Sequence, residues 1–411
     1  MVPHPNQQSP AVMPLSDIKP IHPFPARMAP SIAFDELPMS SKPLRVLDPM
    51  VGSGTTVVVA RAQGHKAFGF DSDPLAVTLS TAWCSNVRAD TIAALAVTIL
   101  ADAKRRHQEF DLRDSYPTGC DDKTKDFVKY WFDRKTRLQL RALADSIGVI
   151  PNLRNRTILW CGFSRLIIAK SRGASLAMDL SHSRPHKVFD TAPIEPFEEF
   201  ISAMERVIRN SPFKGASRSR PAATIKEHDA RKLPLKDCSI DFVITSPPYL
   251  NAIDYIRCSK FTLVWMGHQV SELQQLRSNN IGSERSLPAI DEIQKVIKAI
   301  GAGALHSRHN GMLQRYVKDL SLVLAEIARV LVPGGRAVFV VGDSTLDGVF
   351  IRNSEIIRLI GMKHGLHLTK KVVRELLPSR RYLPPPSRSG GSRALSERMR
   401  QEVIMHFSVD K

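Results

Sequence analysis

The chain has 411 residues, with 58 lysines and arginines against 40 aspartates and glutamates, a formal charge of +18. That length exceeds one ordinary domain, and the basic balance argues for a polyanionic partner without specifying a fold. No apolar run approaches the roughly 20 residues of a membrane helix, and the proline-rich first 20 residues lack the apolar stretch of a signal peptide, so a cytoplasmic protein is expected. Five cysteines, Cys84, Cys120, Cys161, Cys238 and Cys258, form no C-x-x-C or Cys/His cluster. A disulfide frame, a zinc site and a metal cofactor are therefore not expected, and the compartment reads as reducing.

Residues 1–20 read as a loose arm. Leu44-Arg45-Val46-Leu47 reads as a buried strand, Gly52-Ser53-Gly54 as a tight turn and Thr55 to Gln63 as the start of a helix. That is the order of a nucleotide site, in which glycines let the backbone approach a ligand closely. The next strand, Ala67 to Phe70, ends in Asp71, where an acid can take two ribose hydroxyls. Thr55-Thr56, with no lysine, follows the last glycine, which favours a nucleoside ligand without phosphates.

Residues 81–224 read mainly as helices, including Thr91 to Phe110 and Asp126 to Ile147, with apolar residues at helical spacing. Residues 81–225 hold 24 basic and 16 acidic residues, and the segment closes with Lys214, Arg218 and Arg220 interleaved with serines, as in a surface loop. Such residues suit either phosphate contacts or a solvated face. Thr224-Ile225-Lys226 is a third strand, followed by Asp229, and Asp241 to Ile244 a fourth.

Thr245-Ser246-Pro247-Pro248-Tyr249 follows that fourth strand. Two prolines can neither donate to a ladder nor continue a helix, so the strand must end there. The residue before proline is held extended, which leaves the Ser246 hydroxyl and the Pro247 carbonyl free to face a ligand. Two acceptors beside the Tyr249 ring suit the amino group of a flat heterocycle taken out of its stack. Alone, the tripeptide S-P-P would equally be a proline turn. Cys258, nine residues beyond Tyr249, reads as a small core residue.

A second helical insertion spans residues 261–309 and includes Arg277-Ser278-Asn279-Asn280. Val330 to Gly335 leads into a strand from Arg336 to Val341, and a final strand runs from Glu402 to Phe407. Between them, residues 352–400 hold 12 basic and 3 acidic residues. The proline- and serine-marked stretch from Pro378 to Pro384 carries Arg380, Arg381 and Tyr382, suited to phosphates and to stacking or, equally, to a surface hairpin.

The pairing of Asp48-Pro49-Met50-Val51-Gly52-Ser53-Gly54-Thr55 with Ser246-Pro247-Pro248-Tyr249 resembles the AdoMet-dependent amino-methyltransferases of DNA modification, and S-P-P-Y their N4-cytosine branch. The resemblance implies a class I methyltransferase fold, Rossmann-like, with a seven-stranded mixed sheet and a helical insertion. The catalytic domain would comprise residues 21–80 and 225–411, with the basic insertion 81–224 and the smaller insertion 261–309 as alternative candidates for target recognition, although the family's common arrangement places that domain after the third strand. It implies that Asp48, Gly52, Gly54 and Asp71 hold S-adenosyl-L-methionine, and that Asp229 meets its adenine amine. Phe24, in Ile21-His22-Pro23-Phe24-Pro25-Ala26, would pack on its methionine part. Asn251, Asp254 and Tyr255 extend the match.

The implied activity is methyl transfer to cytosine N4 in duplex DNA, after base flipping, with Ser246, Pro247, Pro248 and Tyr249 as the catalytic group. The expected setting is a prokaryotic cytoplasm, with a cognate restriction endonuclease as a candidate partner and the oligomeric state open. The alternatives are an N6-adenine or RNA amino-methyltransferase and a non-catalytic DNA-binding protein of the same fold. The C5-cytosine chemistry known from Pro-Cys nucleophiles is disfavoured, since none of the five cysteines follows a proline.

Overall fold

The computed structural model describes residues 12–25, 27–111, 113, 115–178, 180, 185–215, 220–250, 255–281, 290–302, 305–346, 348–375 and 401–410. Seven strands make the central sheet: β1 (Arg45–Asp48), β2 (Lys66–Asp71), β3 (Thr224–Glu227), β4 (Ile240–Thr245), β5 (Leu331–Val341), β6 (Leu366–Glu375) and β7 (Gln401–Val409). Their spatial order is β6-β7-β5-β4-β1-β2-β3. Every neighbouring pair from β3 to β5 is parallel, whereas β7 lies antiparallel to both β5 and β6. This is the expected seven-stranded mixed sheet. Its central strands carry runs such as Phe242-Val243-Ile244 because helices cover both faces, as parallel sheets require.

The helices are α1 (Pro30–Glu36), α2 (Thr55–Ala62), α3 (Pro74–Trp83), α4 (Ala89–Glu109), α5 (Asp122–Trp131), α6 (Arg134–Gly148), α7 (Leu153–Ile167), α8 (Pro196–Asn210), α9 (Tyr255–Leu263), α10 (Val270–Asn279), α11 (Asp291–Ala299), α12 (Ser307–Val330) and α13 (Asn353–Lys363). Alternation along the strands divides the apolar side chains between two cores. Val46, Phe242, Ile244, Val338 and Val340 face one, with α2 and α3 and the insertion helices α4 to α8. Leu47, Val243, Ala337, Phe339 and Val341 face the other, with α12 and α13. The insertion is therefore built into the same body as the sheet: Phe163, Phe200 and Phe213 belong to the same cluster as Val57 of α2.

Chain direction fixes what meets at each edge of the sheet. Parallel strands end together, so Asp48, Asp71, Glu227 and Thr245 lie along one edge, and α2 and α3 return from it toward the other. Helix α7 runs the opposite way to α3. Near its C-terminus Arg165 donates to the Ile21 carbonyl at 2.6 Å, beside the glycine loop's neighbours, whereas the Arg154 charge near its start bears on Arg61 at the far end of α2. Among the described residues no helix is long and apolar enough to cross a membrane.

Three expectations are corrected. Residues 12–20, taken as part of a loose arm, are tied down: the Met13 N–H donates to Ala62 O at 3.1 Å, Asn210 donates to Pro20 O at 2.8 Å, and Ile18 is buried. The single helix expected over Asp126 to Ile147 is two, because Asp133 caps a new one, accepting from the Thr136 N–H at 2.9 Å. Residue 261, taken as the start of the second insertion, lies inside α9.

Candidate active site

The glycine loop closes between β1 and α2. The Val51 N–H donates to Phe70 O and the Gly54 N–H to Val51 O, both at 2.8 Å. Gly54 caps α2 at φ +95°, and a Cβ there would stand 2.8 Å from Ser80 Cβ and 2.9 Å from Ser80 Cα. The residue must be glycine because α3 crosses against it. Gly52, at φ +48°, is different: a Cβ would point into a space whose nearest atom is Phe24 Cε1, 3.9 Å away. Gly52 thus borders a cradle that a side chain would enter.

Phe24 stacks on Tyr255 at the start of α9, with ring centroids 5.8 Å apart and planes within 8°. The segment holding it is anchored from behind. His22 Nε2 lies 3.0 Å from Ser164 Oγ, which lies 3.1 Å from Thr262 Oγ1, and burial pushes the His22 pKa well below the usual imidazole value. A neutral ring fits that apolar wall.

Three acids line the sheet edge. Asp71 accepts from the Gly52 N–H at 2.8 Å through one oxygen and from the Asp73 N–H at 2.9 Å through the other. Each oxygen keeps a lone pair, and the residue remains partly exposed, so its carboxylate suits a vicinal diol. Burial raises its pKa. Asp48 is only 4% exposed and accepts from Thr245 Oγ1 at 2.8 Å and from the Met50 N–H at 3.2 Å; burial pushes its pKa up to about 6. Asp48, expected to hold the cofactor, braces the glycine loop against β4, and Thr56 Oγ1 adds a second tie to Ile244 O at 3.2 Å.

Asp73 escaped the sequence reading. It caps α3, accepting from the Leu75 N–H at 2.9 Å, and also accepts from Ser259 Oγ of α9; burial, then the Asp71 charge, pushes its pKa to about 7. Asp-Pro at a helix start was the available signal, since aspartate caps and proline favours the first helical position.

Beyond β4, Ser246 Oγ lies 3.4 Å from the Tyr249 hydroxyl. The Tyr249 ring packs against the α12-side core, and burial, reinforced by the Glu402 carboxylate, raises its pKa. Pro248 O accepts from the hydroxyl of Tyr316, a fully buried α12 residue, at 3.0 Å. Sequence reasoning missed Tyr316, which sits 67 residues beyond Tyr249 in a stretch that reads as core.

Asp229 stands past β3, at the same edge. Its carboxylate accepts from the Arg231 N–H at 2.9 Å and from the guanidinium at 2.7 Å, and Arg231 also reaches Asp319 at 2.8 Å. Burial acts to raise the Asp229 pKa, but these bonds outweigh it and the net shift is downward. The second insertion roofs this corner: Ser72 Oγ donates to Asn280 Oδ1 at 3.2 Å, and Arg231 to Asn279 O at 2.8 Å.

Lys214 and Arg220 are placed away from these groups. Arg220 donates to Ala62 O at the far end of α2, and Lys214 pairs with Val87, just past the end of α3, and donates to Arg209 O at 2.7 Å. Arg218, Asn251, Asp254, Arg380, Arg381 and Tyr382 lie outside the described residues. The anchors of the last three, Glu375 and Gln401, pair across β6 and β7 at the edge that holds the site. Cys258 is buried in α9, as expected of a core residue. Among the described residues no cluster of three or more His, Cys, Asp or Glu forms a metal site.

No protein-family model matches the chain. In sequence it is similar to the type II methyltransferase M.MvaI of Kocuria varians, 24% identical over 421 residues that cover 93% of this chain and 89% of that protein. Among solved structures, a putative DNA modification methylase of Thermus thermophilus in complex with S-adenosyl-L-methionine matches 44% of this chain and 51% of its own, with 18% identity and a TM-score of 0.24. A SAM-dependent methyltransferase of Methanosarcina mazei matches 92% of this chain and 97% of its own, with 9% identity and a TM-score of 0.32. At these scores neither structural match bears on function. The resemblance read from the two motifs extends, through the Kocuria protein, over nearly the whole chain.

Proposed function

We propose that the protein is an AdoMet-dependent DNA methyltransferase whose target is the N4 amine of cytosine. The observation that carries this reading is the brace from Thr245 Oγ1 to Asp48 Oδ1, 2.8 Å long, between adjacent parallel strands. It holds the Ser246 motif beside the Gly52 cradle, so a methyl donor and an amine acceptor would meet at one sheet edge. The name of the Kocuria relative, a type II methyltransferase, supports DNA as the substrate and a restriction endonuclease as the companion activity. Serine at 246, where aspartate or asparagine marks adenine and RNA enzymes, supports cytosine.

The residues present fit the cofactor: the Gly52 cradle leaves room that a Cβ would fill, Asp71 offers its carboxylate for the ribose hydroxyls, and Phe24 walls the methionine side. When bound, AdoMet supplies an electrophilic methyl and a neutral thioether leaving group. The protein contributes positioning. Ser246 Oγ and the Pro247 carbonyl accept the two N–H groups of the amine, drawing its lone pair out of conjugation with the ring. Tyr316 holds the Pro248 carbonyl and thereby the turn. The methylated nitrogen is strongly acidic and releases its proton without a dedicated base.

The test is incubation with labelled AdoMet and plasmid DNA, followed by mass spectrometry of the nucleosides. N4-methylcytosine is expected; N6-methyladenine would replace the base assignment, and absence of label in DNA would overturn the reading.

A further inference from the structure

One stretch of the 81–224 insertion is strongly cationic. Residues 146–189 contain seven lysines and arginines and a single acid, Asp179. Helix α7 carries this stretch to the active edge, since its C-terminal turn holds the segment of His22. From there the chain forms a two-stranded antiparallel ribbon, Ala177–Met178 against His186–Lys187. The ribbon is moored to α5, the Leu176 N–H donating to Trp131 O at 2.8 Å. Trp131 and Phe127 in turn pack edge-on against Phe261 of α9, at 5.0 and 5.1 Å, and α9 begins at Tyr255, the residue stacked on Phe24. The mooring is thus continuous with the wall at Phe24.

What this scaffold displays is unusual for a surface with no partner. Tyr130 is 55% exposed, Met178 46% and Val188 57%, and Lys187 Nζ sits 5.1 Å over the Tyr130 ring. Lys129, next to Tyr130 in α5, and Lys170 and Arg172, on the stretch of chain that leads into the ribbon, are exposed. Among the described residues none of these four cations forms an ion pair with an acid, whereas Arg105 and Arg106 pair with Asp102 and Arg141 with Asp145. Unneutralised cations interleaved with an exposed aromatic ring are complementary to a polyanion that also offers flat apolar surface.

Resting on the reading of the protein as a DNA methyltransferase, we propose that the end of α5 and the Ala177–Met178/His186–Lys187 ribbon form the surface that grips duplex DNA, with Lys129, Arg172 and Lys187 on its phosphates. Lys214 and Arg220, beside the ends of α3 and α2, take no part.

The test uses the full chain with Lys129→Gln, Arg172→Gln and Lys187→Gln combined. AdoMet affinity by calorimetry reports that the variant is folded, since none of the three touches the cradle. Binding to a duplex, followed by fluorescence anisotropy at several salt concentrations, should show the slope of log affinity against log salt falling by about 2 to 3, because each lost phosphate contact releases roughly one counterion fewer. In methylation assays KM for DNA should rise and kcat should hold. An unchanged slope and affinity in a variant of an enzyme that methylates DNA would overturn the proposal, as would lost target preference at unchanged slope. Failure of the unsubstituted protein to methylate DNA would instead remove the reading on which it rests.

Discussion

Substituting the two loop glycines separates what holds the fold from what faces the ligand. In Gly54→Ala the new Cβ meets Ser80 Cβ at 2.8 Å and Ser80 Cα at 2.9 Å, and the residue must keep φ at +95°. A left-handed backbone costs a non-glycine residue about 1 to 2 kcal/mol, and an extra carbon forced into packed surroundings about 1 to 3 more. The total, about 2 to 5 kcal/mol, corresponds to a Tm lowered by about 2 to 6 °C in a chain of this size, at about 2 cal/mol/K of unfolding entropy per residue. Gly52→Ala carries strain of about 1 kcal/mol but no clash, its nearest neighbour being 3.9 Å away. Its Tm should fall by about 1 °C, while AdoMet affinity falls by roughly tenfold or more, the loss of about one good contact. Scanning calorimetry and AdoMet titration on both variants check the pair. Adding Ser80→Gly to Gly54→Ala should restore only part of the loss, since Ser80 Cα and the dihedral remain. Equal Tm values for the two single variants, or full AdoMet affinity in Gly52→Ala, would refute the reasoning.

Asp71→Ala should weaken AdoMet binding by about 1 to 3 kcal/mol, the scale of charge-assisted hydrogen bonds, and calorimetry on a folded variant with unchanged affinity would sink that assignment. Tyr316→Phe leaves Pro248 O without its partner and should cost about 1 kcal/mol of stability while lowering kcat more than it alters KM for AdoMet; steady-state kinetics with kcat intact would show that the turn needs no such support. Asp48 gives a pH signature. Its folded pKa, raised by burial to about 6, exceeds the ordinary 3.8, so the folded protein keeps this proton where the unfolded chain has lost it. The associated stability is full below about pH 4, declines as pH rises to about 6 and stays at the lower level above, a total of about 3 kcal/mol for two pKa units. Asp48→Asn removes that dependence, so denaturant titrations of the two proteins should diverge by this amount between pH 4 and 7; parallel profiles would contradict it.

Local chemistry was legible in the sequence because short-range rules decide it. The strands ending in Asp48, Asp71 and Thr245, the turn at Gly52 and Gly54 and the stop imposed by Pro247-Pro248 all follow from hydrophobic runs, glycine freedom and the missing donors of proline. Net charge likewise raised the expectation of a polyanionic partner, since it depends on composition alone. Tertiary structure decided what depends on proximity between distant segments. That Asp48 is buried and accepts from Thr245 at 2.8 Å, and so ties β1 to β4, is set by the pairing of the two strands. Tyr316 reads as a core residue until α12 lays its hydroxyl on Pro248. The serine-interleaved Lys214 and Arg220 look like one loop in the sequence, yet only the fold shows that Arg220 bonds Ala62 O at the far end of α2 and that Lys214 pairs with Val87 just past α3. Spacing along the chain encodes which residues share a helix or strand; only the direction in which each element crosses the sheet encodes which of them share a surface.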